Sequence, residues 1–466
     1  MASQTKMNSP VAEKVATPVA DKVDTPAPKP NLTTLPTELV LMIMDFSEKK
    51  EVKSLRGVNK RFNKIVAPSL FRRVYASPNR IDLHMLQYWA RHPHLSQLVK
   101  ELVWCGVYYH RVVADYCETM PPPQRQTKEG RLWYTKRLED QEMIHKKQLD
   151  FYYVLEAVSK FPNLKSVVFV NHWCSKYRPP MAKDYPRWAL KPYGMPSASV
   201  PGVMTVPGVM EEHLDTTLDH GILLVFKALY LCGRRVKKFA IHNIDNGDQE
   251  HEHSPFSRAI FPYAWPSTDE DMKTGKWVFE GLEEIKFGIF TYRAQKQAFR
   301  NPVVRDQIKT LFTAAKNVEC VKFNFNHPPP IQIPDLFGTG EWPRLRDLRI
   351  NCKSVKVDEI VSFLTQHAET IEYLEMHHMW LDETGKSWDD VIDKLREVEW
   401  PRLQEIHFRW LNDWKSNGTN DGVNLAKRLI GGPVELIRIH ESHADSNSFC
   451  DISWQSWLNV RPAKLK

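Results

Sequence analysis

Apolar residues fall at helical spacing near the amino-terminal end of the chain. Leu35, Leu39, Met42, Ile43 and Phe46 form one stripe, and Pro36 stands in the first turn, where a helix tolerates proline. Val40, Leu41 and Met44 are apolar too, so this helix is greasy on more than one side. Val58, Phe62, Ile65, Val66 and Leu70 predict a second amphipathic helix that stops near Pro68 to Phe71, and Val52 and Leu55 predict a short one between them. Three helices in about 45 residues lie close to the lower limit for folding alone. Such a bundle, with apolar residues on extra faces, is expected to complete its core against something else, in the plainest case the rest of the same chain.

After residue 80 the recurring unit is an apolar triple at i, i+3 and i+5, as in Val99/Leu102/Trp104, Leu164/Val167/Phe169 and Leu345/Leu348/Ile350. The triple alone is common by chance; its context is more specific. Trp342-Pro343-Arg344-Leu345 recurs as Trp400-Pro401-Arg402-Leu403, each leading into a triple, and Phe161-Pro162-Asn163-Leu164 is a looser version. Helices are predicted before several units, over Tyr152 to Lys160, Leu218 to Leu231, Val303 to Ala315, Val357 to His367 and Trp388 to Val398. From Leu282 onward the triples start 36, 27, 26, 32 and 31 residues apart. One strand and one helix per unit of that length resembles a degenerate leucine-rich repeat. The fold class expected is therefore α+β: a small three-helix module followed by an irregular α/β solenoid. An ordinary α/β domain with a partly parallel sheet is the alternative.

Residues 1–30 hold five prolines, a near-repeat (VAEKVATP, VADKVDTP) and no aromatic, and read as a disordered tail. The helical module is expected over 31–76 and the repeat domain over 77–466. Long insertions near 107–148, 172–213 and 243–278, rich in Tyr, Trp, His and Pro, are expected as loops on a binding face.

Charge sharpens this division. Of a net +8, residues 35–75 contribute nine basic against four acidic side chains, and little excess remains beyond them. A basic balance confined to one small segment argues against a nucleic-acid surface. No apolar run approaches the ~20 residues a bilayer requires, and no signal peptide is read. Seven scattered cysteines without CxxC spacing read as reduced thiols, hence a cytoplasmic or nuclear protein.

LPTELVLMIMDF, followed by EVKSLRGVNKRFNKIVAPSLFRRVYAS, resembles an F-box, the module that binds a Skp-type adaptor in Skp–cullin–F-box ubiquitin ligases. The resemblance rests on Leu35-Pro36, Glu38-Leu39, Ile43 and the later LRxVNKRFNxI and LFRxV patterns, under a tenth of the chain. It implies a non-catalytic substrate receptor that contacts the adaptor, and through it cullin, by Leu35, Pro36, Glu38, Leu39, Ile43, Phe46, Leu55, Val58 and Phe62. A protein substrate would bind the repeat domain. An F-box scaffold that does not direct ubiquitination is compatible with the same residues.

Sites for chemistry are scarce. Thr384-Gly385-Lys386-Ser387 imitates the end of a phosphate-binding loop, but Trp380 stands where its first glycine belongs. His251-Glu252-His253 with His242 reads as a solvated loop rather than a metal site, and Glu283-Glu284 and Asp389-Asp390 as exposed charges. No cofactor or metal is expected. In a leucine-rich-like strand i+2, i+4 and i+6 face the open concave side. Lys286, Lys322, Arg349, His407 and Arg438 fall in the i+4 row and Arg409 in the i+6 row. This row of donors is expected to face an acidic or phosphorylated substrate. The competing expectation is that Glu284, Asp347 and Glu405 in the i+2 row pair with it.

Overall fold

The structure is a computed structural model that describes residues 32–47, 49–105, 128–170, 221–242, 266, 268–290, 302–326, 333, 337–338, 340–352, 355–377, 379–409, 411–412, 419–420, 429 and 438–439. The expected tail, the 172–213 insertion and the His251 segment lie outside these residues. The chain divides into two units, 1–70 and 71–466.

In the first unit, α1 (Thr37–Phe46), α2 (Lys49–Arg56) and α3 (Lys60–Leu70) enclose a core of Val40, Met44, Val52, Phe62 and Val66. Pro36 is the residue before α1, and its carbonyl accepts the first helical hydrogen bond from Val40 N. Asn59 caps α3, accepting from Phe62 N at 2.8 Å, and Arg61 donates to the carbonyls of Thr33 and Leu35. The entry turn is thereby tied to the third helix.

The second unit begins earlier than the sequence suggests. Residues 73–76, expected in the helical module, form β1 (Arg73–Ala76), which pairs in parallel with β2 (Glu101–Cys105). The sheet continues through β3 (Ser166–Val170), β4 (Lys238–His242), β5 (Glu284–Phe290), β6 (Cys320–Asn326), β7 (Asp347–Cys352), β8 (Tyr373–His377) and β9 (Glu405–Arg409). After the short antiparallel pair β10 (Leu411–Asn412) and β11 (Thr419–Asn420), β12 (Arg438–Ile439) joins β9. Every pairing in the large sheet is parallel, and strands add in chain order without a reversal.

Helices occupy the intervals: α4 (Arg80–Arg91), α5 (Leu95–Leu98), α6 (Lys128–Lys146), α7 (Leu149–Lys160), α8 (Gly221–Leu231), α9 (Asp269–Phe279), α10 (Pro302–Ala314), α11 (Val357–His367) and α12 (Trp388–Leu395). The fold is thus mixed α/β. The 107–148 interval, expected as a loop, contains the whole of α6, and the end of the 243–278 interval contains all of α9 but its last residue, Phe279.

The i, i+3 and i+5 residues of the strands are buried against these helices. An aromatic seam runs through that layer from Phe169 to Phe226, Phe279, Phe312, Phe337 and Phe363, each ring centroid 5.2–6.4 Å from the next. The repeated Trp-Pro-Arg-Leu segments now have a physical reason. Trp342 Nε1 donates to Phe312 O near the end of α10, and Trp400 Nε1 donates to Leu395 O at the end of α12. Each indole adds a second donor to a carbonyl at the end of the preceding helix, beside Ala315 N on Phe312 O and Val398 N on Leu395 O. The Gly385 turn, with φ +82°, leads into Ser387, which caps α12 in a reciprocal box with Asp390. The segment that imitates a phosphate loop is a helix start, and Asp390, expected as a free surface charge, is its partner.

Candidate functional site

Two surfaces carry the candidate residues, one in each unit. In the first unit α1 is apolar on two sides, and only the narrower one points inward. Val40 and Met44, one turn apart, enter the core. Leu39, Leu41, Met42 and Ile43 are each more than 40% exposed and Phe46 is 90% exposed. Glu38 and Pro36 are exposed beside them, as is Val58 after α2. Five large apolar side chains on one ten-residue helix form a patch that folding of the unit leaves in water.

Three expected contact residues sit differently. Phe62 is fully buried, at the centre of the module's own core, because the Asn59 cap turns it inward. It is a structural residue. Leu35 and Leu55 are half-buried and pack against that core. Leu41 and Met42 belong to the exposed patch although the resemblance did not single them out; Met42 lies in the apolar stripe with Leu39 and Ile43, and Leu41 among the extra apolar residues.

In the second unit the sheet face away from the helices carries two registered rows. One runs Glu101, Ser166, Lys238, Glu284, Cys320, Asp347, Tyr373, Glu405, Arg438; the other runs Val103, Val168, Ala240, Lys286, Lys322, Arg349, Glu375, His407. The expected open row is closed. Lys286, Lys322, Arg349 and His407 are all buried. Strands less than 5 Å apart press each long side chain between its row neighbours, and carboxylates of the other row pair with it. Arg438 does not belong to that row at all: it pairs with Glu405, and Ile439 with Ile406, two residues away from the register that Val434/Ile437/Ile439 implied. Arg409 is aligned with His377 in the backbone, and its side chain, like that of Arg438, lies outside the described atoms.

The pairing is specific. Asp347 accepts from Arg349 Nε at 2.9 Å and Nη2 at 3.1 Å, and Lys322 Nζ lies 3.7 Å away. Arg349 also reaches Glu375 at 3.5 Å and stacks over the Tyr373 ring at 4.2 Å. Tyr373 donates to Glu375 at 3.1 Å and stacks with His407, which contacts Glu405 at 2.9 Å. Glu284, expected as an exposed charge, takes Lys238 at 3.0 Å and Lys286 at 2.8 Å on one oxygen. Over β4–β9 the described members of the two rows carry four Lys/Arg (Lys238, Lys286, Lys322, Arg349) against four Asp/Glu (Glu284, Asp347, Glu375, Glu405).

Protonation follows from burial and these partners. Burial tends to raise the Glu284 pKa, but Lys238 and Lys286 outweigh it and bring the carboxyl down to about 2. Burial lowers the Lys238 and Lys322 ammonium groups, with Glu284 and Asp347 respectively opposing the shift. Burial and then Asp347 push the Cys320 thiol far above its ordinary range, so it stays a neutral donor, 3.4 Å from Asp347. Among the described residues no group of three or more His, Cys, Asp or Glu could hold a metal ion, and no helix is long and apolar enough to cross a membrane.

No protein-family model matches the chain, and no curated protein sequence is significantly similar to it.

Proposed function

We propose that the chain is the substrate-receptor subunit of a Skp–cullin–F-box ubiquitin ligase. One observation carries this reading: α1 turns Leu39, Leu41, Met42, Ile43 and Phe46 into water while its own core uses only Val40 and Met44. A helix with that distribution is finished by a second polypeptide, and the LPTEL…I…F pattern resembles the module that docks on a Skp-type adaptor. Each exposed anchor contributes ~1.5–3 kcal/mol when fully buried. The basic stretch from Lys49 to Lys64 steers association with an acidic partner surface.

The second unit is read as an irregular leucine-rich-repeat-like solenoid. Parallel strands in chain order, alternating with helices and entered through repeated Trp-Pro-Arg-Leu turns, support that reading. Its role is to hold a protein substrate close to the transfer machinery, which raises the local substrate concentration without any bond chemistry by this chain.

The test is partner capture by the full chain compared with a Leu35→Ala/Pro36→Ala variant, read by mass spectrometry. Loss of Skp and cullin with retention of other partners supports the reading. Full retention of the adaptor by a folded variant removes it. A substrate whose half-life lengthens on deletion of the protein separates a receptor from a scaffold.

A further inference from the structure

In the second unit α4, α6 and α7 surround a cavity of about 260 Å³ that none of the residues discussed above lines. Leu83 of α4 and Ile144 of α6 line it, each 1% exposed, together with half-buried Leu149 at the start of α7. None of these three belongs to the apolar cluster that packs the helices on the sheet. His84 and Tyr153 add two rings, their centroids 5.7 Å apart. The chain passes from α6 to α7 in a tight reversal. Lys147 N donates to Met143 O and Gln148 N to His145 O, and Gln148 takes φ 52°, a left-handed conformation unfavourable for a non-glycine residue. Lys147, one residue before that turn, lies on the cavity wall beside Met143.

The charge on this wall has one sign. Among the described residues the lining holds two cations, Arg80 and Lys147, and no carboxylate. Arg80 pairs with Asp140 of α6 at 3.1 Å, yet its side chain remains 47% exposed. Lys147 is exposed, and among the described residues no carboxylate lies within ion-pair distance of its ammonium group. Size narrows the choice of ligand. An apolar cavity of about 150 Å³ takes one benzene ring, and drug-sized ligands occupy about 300–1,000 Å³. A volume between the two fits one ring or branched aliphatic group with a small polar group attached.

We infer that this cavity binds a carboxylate joined to a single apolar group, with the apolar part against Leu83, Ile144 and Leu149 and the carboxylate against Lys147 and Arg80. The buried leucine and isoleucine surface disfavours a bare inorganic anion, which gains nothing from it. The two cations favour a charged ligand over a neutral one of the same shape. Two sources carry this chemistry, a free small acid and the last residue of a polypeptide. The inference stands on the geometry of α4, α6 and α7 and does not depend on the ubiquitin-ligase reading.

Ligand-observed saturation-transfer NMR on the full chain tests it with four probes: 3-phenylpropionate, N-acetylphenylalanine, acetate and 3-phenylpropanamide. Wild type is expected to bind at least one of the two aromatic acids. Acetate lacks the ring and the amide lacks the charge, so each binds at least about tenfold more weakly. Lys147→Glu weakens binding of the acid about tenfold or more, because it reverses a charge on the wall. Asp140→Asn tightens it, because Arg80 loses its competing carboxylate. A merely structural role moves both variants in the same direction. Thermal unfolding in parallel shows which variants are folded, and Lys147→Glu, at an exposed position, decides if Asp140→Asn is not. Tighter binding of N-acetylphenylalanine identifies a chain terminus as the source, and tighter binding of 3-phenylpropionate a free acid. Binding of neither acid, an amide as tight as its acid, equal binding by wild type and folded Lys147→Glu, or weakening in folded Asp140→Asn overturns the site. Adaptor capture by both variants stays at the wild-type level, so failure here is distinct from failure of the docking proposal.

Discussion

Leu39 and Val40 are consecutive apolar residues of one helix, yet Leu39 is 44% exposed and Val40 is fully buried. The helix has two greasy sides, and the three-helix unit has room for one. Replacing residues of the inner side therefore damages the fold, whereas replacing residues of the outer side leaves it intact.

Phe62→Ala tests the inner side. Phe62 has no exposed surface and packs with Val40, Met44, Val52 and Val66. Its truncation is expected to cost about 3–5 kcal/mol, enough to unfold so small a module. Hydrogen exchange over 37–70 should rise sharply while β4–β9 stay protected.

Gly221→Ala tests the packing at the start of α8. A Cβ there falls 2.0 Å from Trp104 Nε1, and Trp104 is buried beneath it. The indole must shift, so the expected loss is about 1–3 kcal/mol despite the better helix propensity of alanine. Chemical denaturation of the second unit measures it; unchanged stability contradicts the packing.

His367 sets a pH dependence. It is stacked on Trp342 with ring centroids 5.8 Å apart, and burial lowers its pKa from 6.5 to about 4. Because the unfolded chain binds a proton at higher pH than the folded one, stability is lost as pH falls from about 6.5 to about 4, by roughly 3 kcal/mol in all. Asp82 works oppositely: burial raises its pKa from 3.8 to about 6, so its contribution declines as pH rises through that interval. His367→Phe should remove the first effect and leave stability falling with pH between 4 and 6. An unaltered pH profile of the variant contradicts the assignment.

Much of the architecture was legible where local pattern and packing agree. The helix over Val357–His367 matches its apolar spacing residue for residue, and the strand triples from Leu102 to Phe408 mark the buried side of the sheet. α6 was missed because its inward stripe is thin: Leu138, Gln141 and Ile144 are buried in a helix otherwise dominated by charge. The charged row was legible as a row, and so was the competing expectation that Glu284, Asp347 and Glu405 pair with it, which the contacts bear out. Strand periodicity places Lys322, Arg349 and Asp347 on one face but does not choose between an open row and a paired one; the contacts of Asp347 with both cations do. Arg438 was misplaced because its segment offers one apolar triple, Val434/Ile437/Ile439, and the strand pairs in another register, with Ile439 beside Ile406 and Arg438 beside Glu405. On α1 the pattern gave both apolar sides, and nothing in the spacing says which of them the module itself uses.

The central claim is that the outer side of α1 binds a Skp-type adaptor. The most direct measurement is the dissociation constant of the full chain for a purified adaptor, wild type against Leu39→Ala/Ile43→Ala/Phe46→Ala, with thermal unfolding in parallel. Each substitution lies on exposed surface, so stability should change by no more than about 0.5 kcal/mol per site. Binding should weaken at least about a hundredfold, the equivalent of roughly 3 kcal/mol. Wild-type affinity in the folded triple variant, or no measurable affinity of the wild-type chain, would contradict the account.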